Sequence, residues 1–196
     1  MSSEIKITIE TFKTVTKAIA QSDNLDIMAN HLAQLLVTAL DIKGCAIFVQ
    51  DPDIKELEIL ASFGLSPKYL SKGPLLADKS LVANLKGEPV IVADVSKDKN
   101  IQYPEEARKE GIAAILSVPI VFLNEVLGAL RLYHYEIWQI SEQDLDSLHL
   151  LAEHVGLVMT YTRLLNAIQS ITEVIDLALP TDLLPCLKKG ERISSE

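Results

Sequence analysis

Apolar positions along the chain change period twice. Ile5, Ile9, Phe12, Val15 and Ile19 recur at helical spacing and predict a first helix over residues 4–20. Ser22-Asp23-Asn24 then offers an N-cap. Leu25, Met28, Leu32, Leu35, Leu36 and Ala39 form the stripe of a second helix, ended by Lys43-Gly44. The pattern now turns strand-like. Residues 45–50 and 57–62 predict a hairpin around the turn residues Asp51-Pro52-Asp53, closed by Gly64. Ser66-Pro67 opens a short helix to Lys72, stopped by Gly73-Pro74. Residues 80–86 predict another, with Gly87 as C-cap. Residues 90–93 read as a short strand, and 94–111 as a polar loop followed by a helix from Pro104 to Glu110 with Gly111 beyond it. Residues 114–133 predict two long antiparallel strands turning at Asn124-Glu125. Ser141-Glu142-Gln143-Asp144 starts a helix that keeps its period to about Leu179, where Pro180 stops it.

Alternation splits each long strand into two faces. Leu116, Val118, Ile120 and Phe122 make one wholly apolar set, and Gly128, Leu130 and Leu132 join it across the hairpin, with Gly128 suited to close helix packing. Ser117, Pro119, Leu127, Ala129, Arg131 and Tyr133 fall on the opposite face, together with Ala46 and Phe48. Cys45 and Ile47 go under the helices. The C-terminal helix carries two stripes. Leu148, Leu151, Val155, Val158, Thr162 and Leu165 suit packing on the sheet. Leu157, Tyr161, Leu164, Ile168, Ile171, Ile175 and Ala178 alternate spacings of four and three, and that stripe needs a separate partner. The reading divides the chain into an N-terminal helix (1–21), a domain (22–163), an extension of the last helix (164–179) and a flexible tail (180–196).

Bulk chemistry narrows the function. A net charge of −9 over 196 residues, with basic residues scattered, argues against nucleic-acid binding, which needs a basic stripe. Cys45 and Cys186 have neither metal-ligand nor disulfide spacing, as expected of a reducing compartment. The N-terminus lacks a signal peptide's basic start and apolar core, and no run reaches the ~18 apolar residues of a membrane span. The expectation is a soluble cytoplasmic chain that binds neither membrane nor nucleic acid.

Several local pieces come in a characteristic order: Ala46-Ile47-Phe48-Val49 before an Asp-Pro turn, Gly87-Glu88-Pro89-Val90 leading to Asp94, Ser117-Val118-Pro119-Ile120, Leu127-Gly128-Ala129-Leu130 continuing to Leu132-Tyr133, and the helix start at Ser141. In this order the chain resembles a GAF domain from about Asp23 to Arg163. The resemblance implies an α+β fold: an antiparallel sheet with N- and C-terminal helices on one face, and short helices and loops over a small-molecule pocket on the other. It further implies a regulatory module, often dimeric, that signals through its terminal helices.

On that basis Phe48, Ser117, Arg131 and Tyr133 are the candidate ligand-binding residues. Arg131 is the sharpest, since a guanidinium in a partly enclosed cleft can bind carboxylate or phosphate. Its bland alternative is a salt bridge to an acidic loop residue such as Asp94 or Glu110, or a place in solvent. The candidate dimer interface is Leu157, Tyr161, Leu164, Ile168, Ile171 and Ile175. Enzymatic chemistry is not expected. There is no cysteine beside the pocket for a covalent bilin, no redox cysteine set of a free-methionine-sulfoxide reductase, and no NKFDE signature of cyclic-nucleotide-binding relatives. No P-loop or Ser/His/Asp set is present, and the four histidines do not converge on a metal. No cofactor is specified. The expected role is a non-catalytic sensory domain, homodimeric and acting on a signalling partner. The alternative is a ligand-free dimerisation or docking module.

Overall fold

Local chemistry sets the boundaries of each element. The computed structural model describes residues 9–20, 24–50, 57–73, 87–99 and 101–178. Helix α1 (Ile9–Ala20) leads into α2 (Leu25–Leu40), whose N-cap Asn24 accepts a hydrogen bond from the Ile27 amide at 3.0 Å. The second helix ends earlier than Lys43-Gly44. Asp41 adopts the left-handed conformation (φ 49°) and its N–H bonds back to the Val37 carbonyl, freeing Gly44 to begin β1 (Gly44–Gln50). Strand β2 (Leu57–Phe63) pairs with β1. Ser66 caps α3 (Pro67–Leu70) by accepting from the Tyr69 amide, with Pro67 where its missing donor is not needed. After β3 (Val90–Val92), α4 (Pro104–Glu110) closes at Gly111, where a φ of 78° suits glycine. The long hairpin is β4 (Ala114–Phe122) and β5 (Glu125–His134), and the last helix is α5 (Glu142–Ala178). The Ser141 hydroxyl both accepts from the Asp144 amide and donates to its carboxylate, fixing the start of α5. The expected 51–53 turn, the helix at 80–86, residues 4–8, Ser22-Asp23, the tail and Cys186 lie outside the described residues.

The strands form one antiparallel sheet in the order β2-β1-β5-β4-β3, the α+β architecture expected. Helices α1, α2 and α5 cover one face through Val15, Met28, Leu32, Leu36, Leu148, Val155 and Met159, packed on Ile47, Leu116, Val118, Ile120, Leu130 and Leu132. Cys45 is buried there, which pushes its thiol pKa far up. The other face carries a second core that joins Ala46, Phe48, Ala129 and Tyr133 to Tyr69, Val95, Ala107 and Ile112 from the short helices and loops.

Three details of the hairpin differ from expectation. Phe122 pairs with Glu125, so the turn is Leu123-Asn124, with φ of 50° and 66°. Two consecutive positive φ values match the twist of a two-residue hairpin turn, and they fall one residue earlier than the Asn124-Glu125 pair suggested. Ile120 pairs with Gly128 but Val121 with Val126, leaving Leu127 as an extra residue in β5. This bulge reverses local parity, and Leu127 packs with the helix-side core instead of the loop face. Gly128 is required for strand packing, not helix packing, because a Cβ there would collide with the Phe48 carbonyl. The close helix approach occurs at Gly156, whose added Cβ would sit 2.9 Å from the Val121 carbonyl oxygen.

The chain divides into two compact units, Met1–Thr160 and Tyr161–Glu196. In the second unit the described residues are the last turns of α5. Among the described residues no helix is long and apolar enough to cross a membrane.

Candidate functional site

Register places the polar residues of the loop face in a single cross-strand row. Ala46 on β1 is opposite Arg131 on β5, Arg131 is opposite Ser117 on β4, and Ser117 is opposite Val90 on β3. Ala46 and Ser117 are small, and directly opposed strand residues stand about 5 Å apart, so they leave room for the guanidinium between them. The neighbouring rows carry bulk: Phe48 opposite Ala129 on one side, Tyr133 opposite Ile115 on the other. Of the candidate ligand residues, Ser117, Arg131 and Tyr133 therefore meet on adjacent rows. Phe48 lies in the adjacent row on the other side of Arg131 and belongs to the apolar wall.

Arg131 is only 5% exposed, and its Nε finds no hydrogen-bond partner among the described residues. Its guanidinium carbon is 5.9 Å from the centre of the Tyr133 ring. The carboxylates proposed as its salt-bridge partners are engaged elsewhere. Glu110 accepts from the Ser66 amide at 2.7 Å and hydroxyl at 2.5 Å, with Lys43 Nζ at 3.6 Å. Burial works against its charge, but these donors hold the Glu110 carboxyl below its usual range. Asp94 binds Lys97 at 2.8 Å and the Ser96 hydroxyl and amide, which together bring it down to about 2.

The roof above Arg131 contains residues that the strand pattern did not reveal. Tyr69 meets Tyr133 edge to face, with centroids 5.7 Å apart. Lys72 places its ammonium 3.5 Å from the centre of the Tyr69 ring and donates to the Tyr69 carbonyl at 3.0 Å. Its pKa falls to about 8, first through burial and then through the charge of Arg131, against the opposing pull of Glu110 and Glu106. Burial raises the phenols of Tyr69 and Tyr133, and Arg131 partly offsets this in both. Gln102 donates to the Tyr103 hydroxyl at 3.0 Å, and that hydroxyl lies against Gly73, where a Cβ would approach within 2.6 Å. The described walls around Arg131 enclose about 10 Å³, room for one water. The sequence signal for Lys72 was weak: a lysine ending a one-turn helix looks like any solvated residue.

The candidate interface residues are placed quite differently. Leu157, Tyr161, Leu164, Ile168, Ile171 and Ile175 are 47 to 60% exposed, an apolar row along α5. Within the first unit this row continues into Leu150 and a groove of about 530 Å³, bordered by Phe122, Leu123, Leu150 and Leu157. Leu123 stands at the hairpin tip, 82% exposed and in a left-handed conformation unusual for leucine. Among the described residues no three His, Cys, Asp or Glu side chains converge on a metal site.

Comparison with known proteins places this geometry. The phosphoenolpyruvate-dependent phosphotransferase system protein of Escherichia coli strain K12 is 24% identical over 154 residues, which are 78% of this chain and 21% of that protein. The chain thus spans about a fifth of the length of the curated relatives it matches. Among solved structures, the GAF domain of a Coxiella burnetii phosphoenolpyruvate-protein phosphotransferase superposes with a TM-score of 0.72 at 23% identity, covering 81% of this chain and 96% of that one. The corresponding Acinetobacter domain gives 0.70 at 18% identity, over 83% and 98%. A model of the GAF domain matches residues 22–160, and the chain belongs to the GAF domain family, a family of regulatory and sensory domains.

Proposed function

We propose that this chain is a non-catalytic sensory module that takes a small cytoplasmic ligand on the loop face of its sheet and signals as a homodimer through α5. The observation that carries the reading is the exposed row on α5. Its residues repeat every seven, with Tyr161, Ile168 and Ile175 at one core position and Leu157, Leu164 and Ile171 at the other. Isoleucine at two of the three first positions (Ile168 and Ile175) and leucine at two of the three second positions (Leu157 and Leu164) favour two parallel strands. A second copy of the same helix supplies the complementary surface, and a partner signalling protein receives the output. The phosphotransferase relatives suggest that such a module regulates phosphotransfer carried out elsewhere; this chain corresponds to their GAF region.

Sedimentation equilibrium tests the reading. The full chain is expected to be a dimer, and Ile168→Asp to be a monomer with unchanged far-ultraviolet circular dichroism. A monomeric parent, or a dimer untouched by the aspartate, removes α5 from the interface. The small enclosed volume beside Arg131 favours a second reading, a ligand-free dimerisation or docking module. A metabolite screen by thermal shift separates the two, since the sensory reading requires at least one saturable stabilising compound.

A further inference from the structure

A cation buried without a counter-ion is expensive, because lost hydration is repaid only by an opposite charge or by hydrogen bonds to every donor. Arg131 lies buried at the centre of the loop face, with its Nε unpartnered and no ion pair to a carboxylate among the described residues. A second cation, Lys72, reaches the same enclosure from the turn after α3 and shares its walls with Tyr69, Gln102 and Tyr103. Among the described acids, Glu110 is engaged by Ser66 and Lys43, Asp94 by Lys97 and Ser96, and Glu105 by Arg108, while Glu106 and Glu110 favour the charge of Lys72 without forming an ion pair with it. The sheet is built to hold this charge. Ala46 and Ser117 flank Arg131 in the row, where larger residues would have filled the space.

We propose that Arg131 and Lys72 form a binding site for the anionic group, carboxylate or phosphate, of a small molecule. The inference rests on the sensory reading above and names the ligand class of the same cleft. Arg131 presents a fixed fork from a central strand, and Lys72 adds a mobile ammonium on a four-carbon stem. The enclosure of about 10 Å³ is too small for either anion while Lys72 lies on the Tyr69 ring. Binding therefore swings the ammonium off that ring and onto the incoming oxygens. Tyr103 and Gln102 supply a hydroxyl and an amide at the rim. Both cations gain a partner in the bound state, so the charge that burdens the empty fold becomes the source of affinity.

The test uses the full chain labelled with ¹⁵N and three probes at matched ionic strength: inorganic phosphate, acetate and the neutral isostere acetamide. The expected result is a saturable shift of the Arg131 Nε–H resonance with phosphate or acetate and none with acetamide. Whichever anion binds tighter identifies the phosphoryl or carboxylate source. Lys72→Gln should weaken that anion at least tenfold. Arg131→Met should melt higher than the parent in anion-free buffer, having lost an uncompensated buried charge, and should lose the anion-dependent rise in Tm that the parent shows over chloride. A purely structural arginine would instead give a destabilised Arg131→Met, and that result overturns the proposal. So does an unmoved Arg131 resonance with both anions. An equal response to acetamide and acetate overturns the anion class but leaves the ligand cleft standing. A metabolite screen without any hit, in contrast, strikes the sensory reading itself.

Discussion

Beneath the helices, Leu130 and Leu132 of β5 pack against Leu116, Val118 and Ile47; beneath the loops, Arg131, between them in sequence, lies beside Ser117 with Tyr69 and Lys72 overhead. Both faces are buried around apolar cores, but only one of them also buries a charge carried by the sheet itself. The helix side carries apolar side chains, stabilising the fold by removing hydrocarbon from water. The loop side has its own apolar core, with Phe48, Val95, Ala107 and Ile112, but sets among it the charge of Arg131 and the hydroxyls of Ser117, Tyr69 and Tyr133. The difference separates the apolar, helix-covered side of the sheet from the side on which the proposed anion cleft lies, where an unpartnered donor leaves something to gain on binding.

That contrast can be broken most severely on the helix side. Leu132→Ala removes a fully buried side chain and should cost about 2–5 kcal/mol in urea unfolding. An effect near zero would mean that this face is not the stabilising core. Gly156→Ala probes the same face more gently. Alanine gains about 1 kcal/mol of helix propensity, but its Cβ would press on the Val121 carbonyl, so a net loss of about 1–2 kcal/mol is expected in the same assay. A gain in stability would show that α5 can shift off the sheet without penalty.

The smallest effect sharpens the loop side through pH. Lys72 in the folded chain titrates near 8, below the value of about 10.5 for an exposed lysine. Between these values the unfolded chain retains a proton that the folded chain has released, so this group's contribution to stability rises with pH from 8 to 10.5 and is level below and above. The groups facing it are Arg131 from β5, Glu106 and Glu110 from α4, Tyr69 on the preceding helix α3, and Tyr103. Lys72→Met should lack the rise. The difference in unfolding free energy between parent and variant, measured from pH 7 to 11, isolates it from tyrosine ionisation. A difference independent of pH would show that Lys72 is solvated.

Much of this organisation was legible in the residues. Period-two alternation placed Leu116, Val118 and Leu130 under the helices and Arg131 and Tyr133 opposite, because a strand with two buried faces still sorts polar groups to one side. Proline and glycine marked α3 and α4 closely, since their constraints are local. Leu127 was misplaced because a bulge adds one residue to a strand and alters nothing in the hydrophobic pattern that would announce it. The turn was set one residue late because the chain accepts leucine at positive φ, against the preference that the pair Asn124-Glu125 was read from. Lys72 was missed because its role depends on elements distant in sequence.

Local sequence, then, determined the elements, the two faces of the sheet and the seven-residue row along α5, because each follows from spacing along one segment of backbone. Only the tertiary structure decided that Arg131 is buried with its Nε unpartnered among the described residues, that Glu110 is taken by Ser66, and that Lys72 joins Arg131 under the tyrosines. Those are facts of charge and solvation. They depend on which groups from separate elements come within a few ångströms, and strand register and loop packing set those distances.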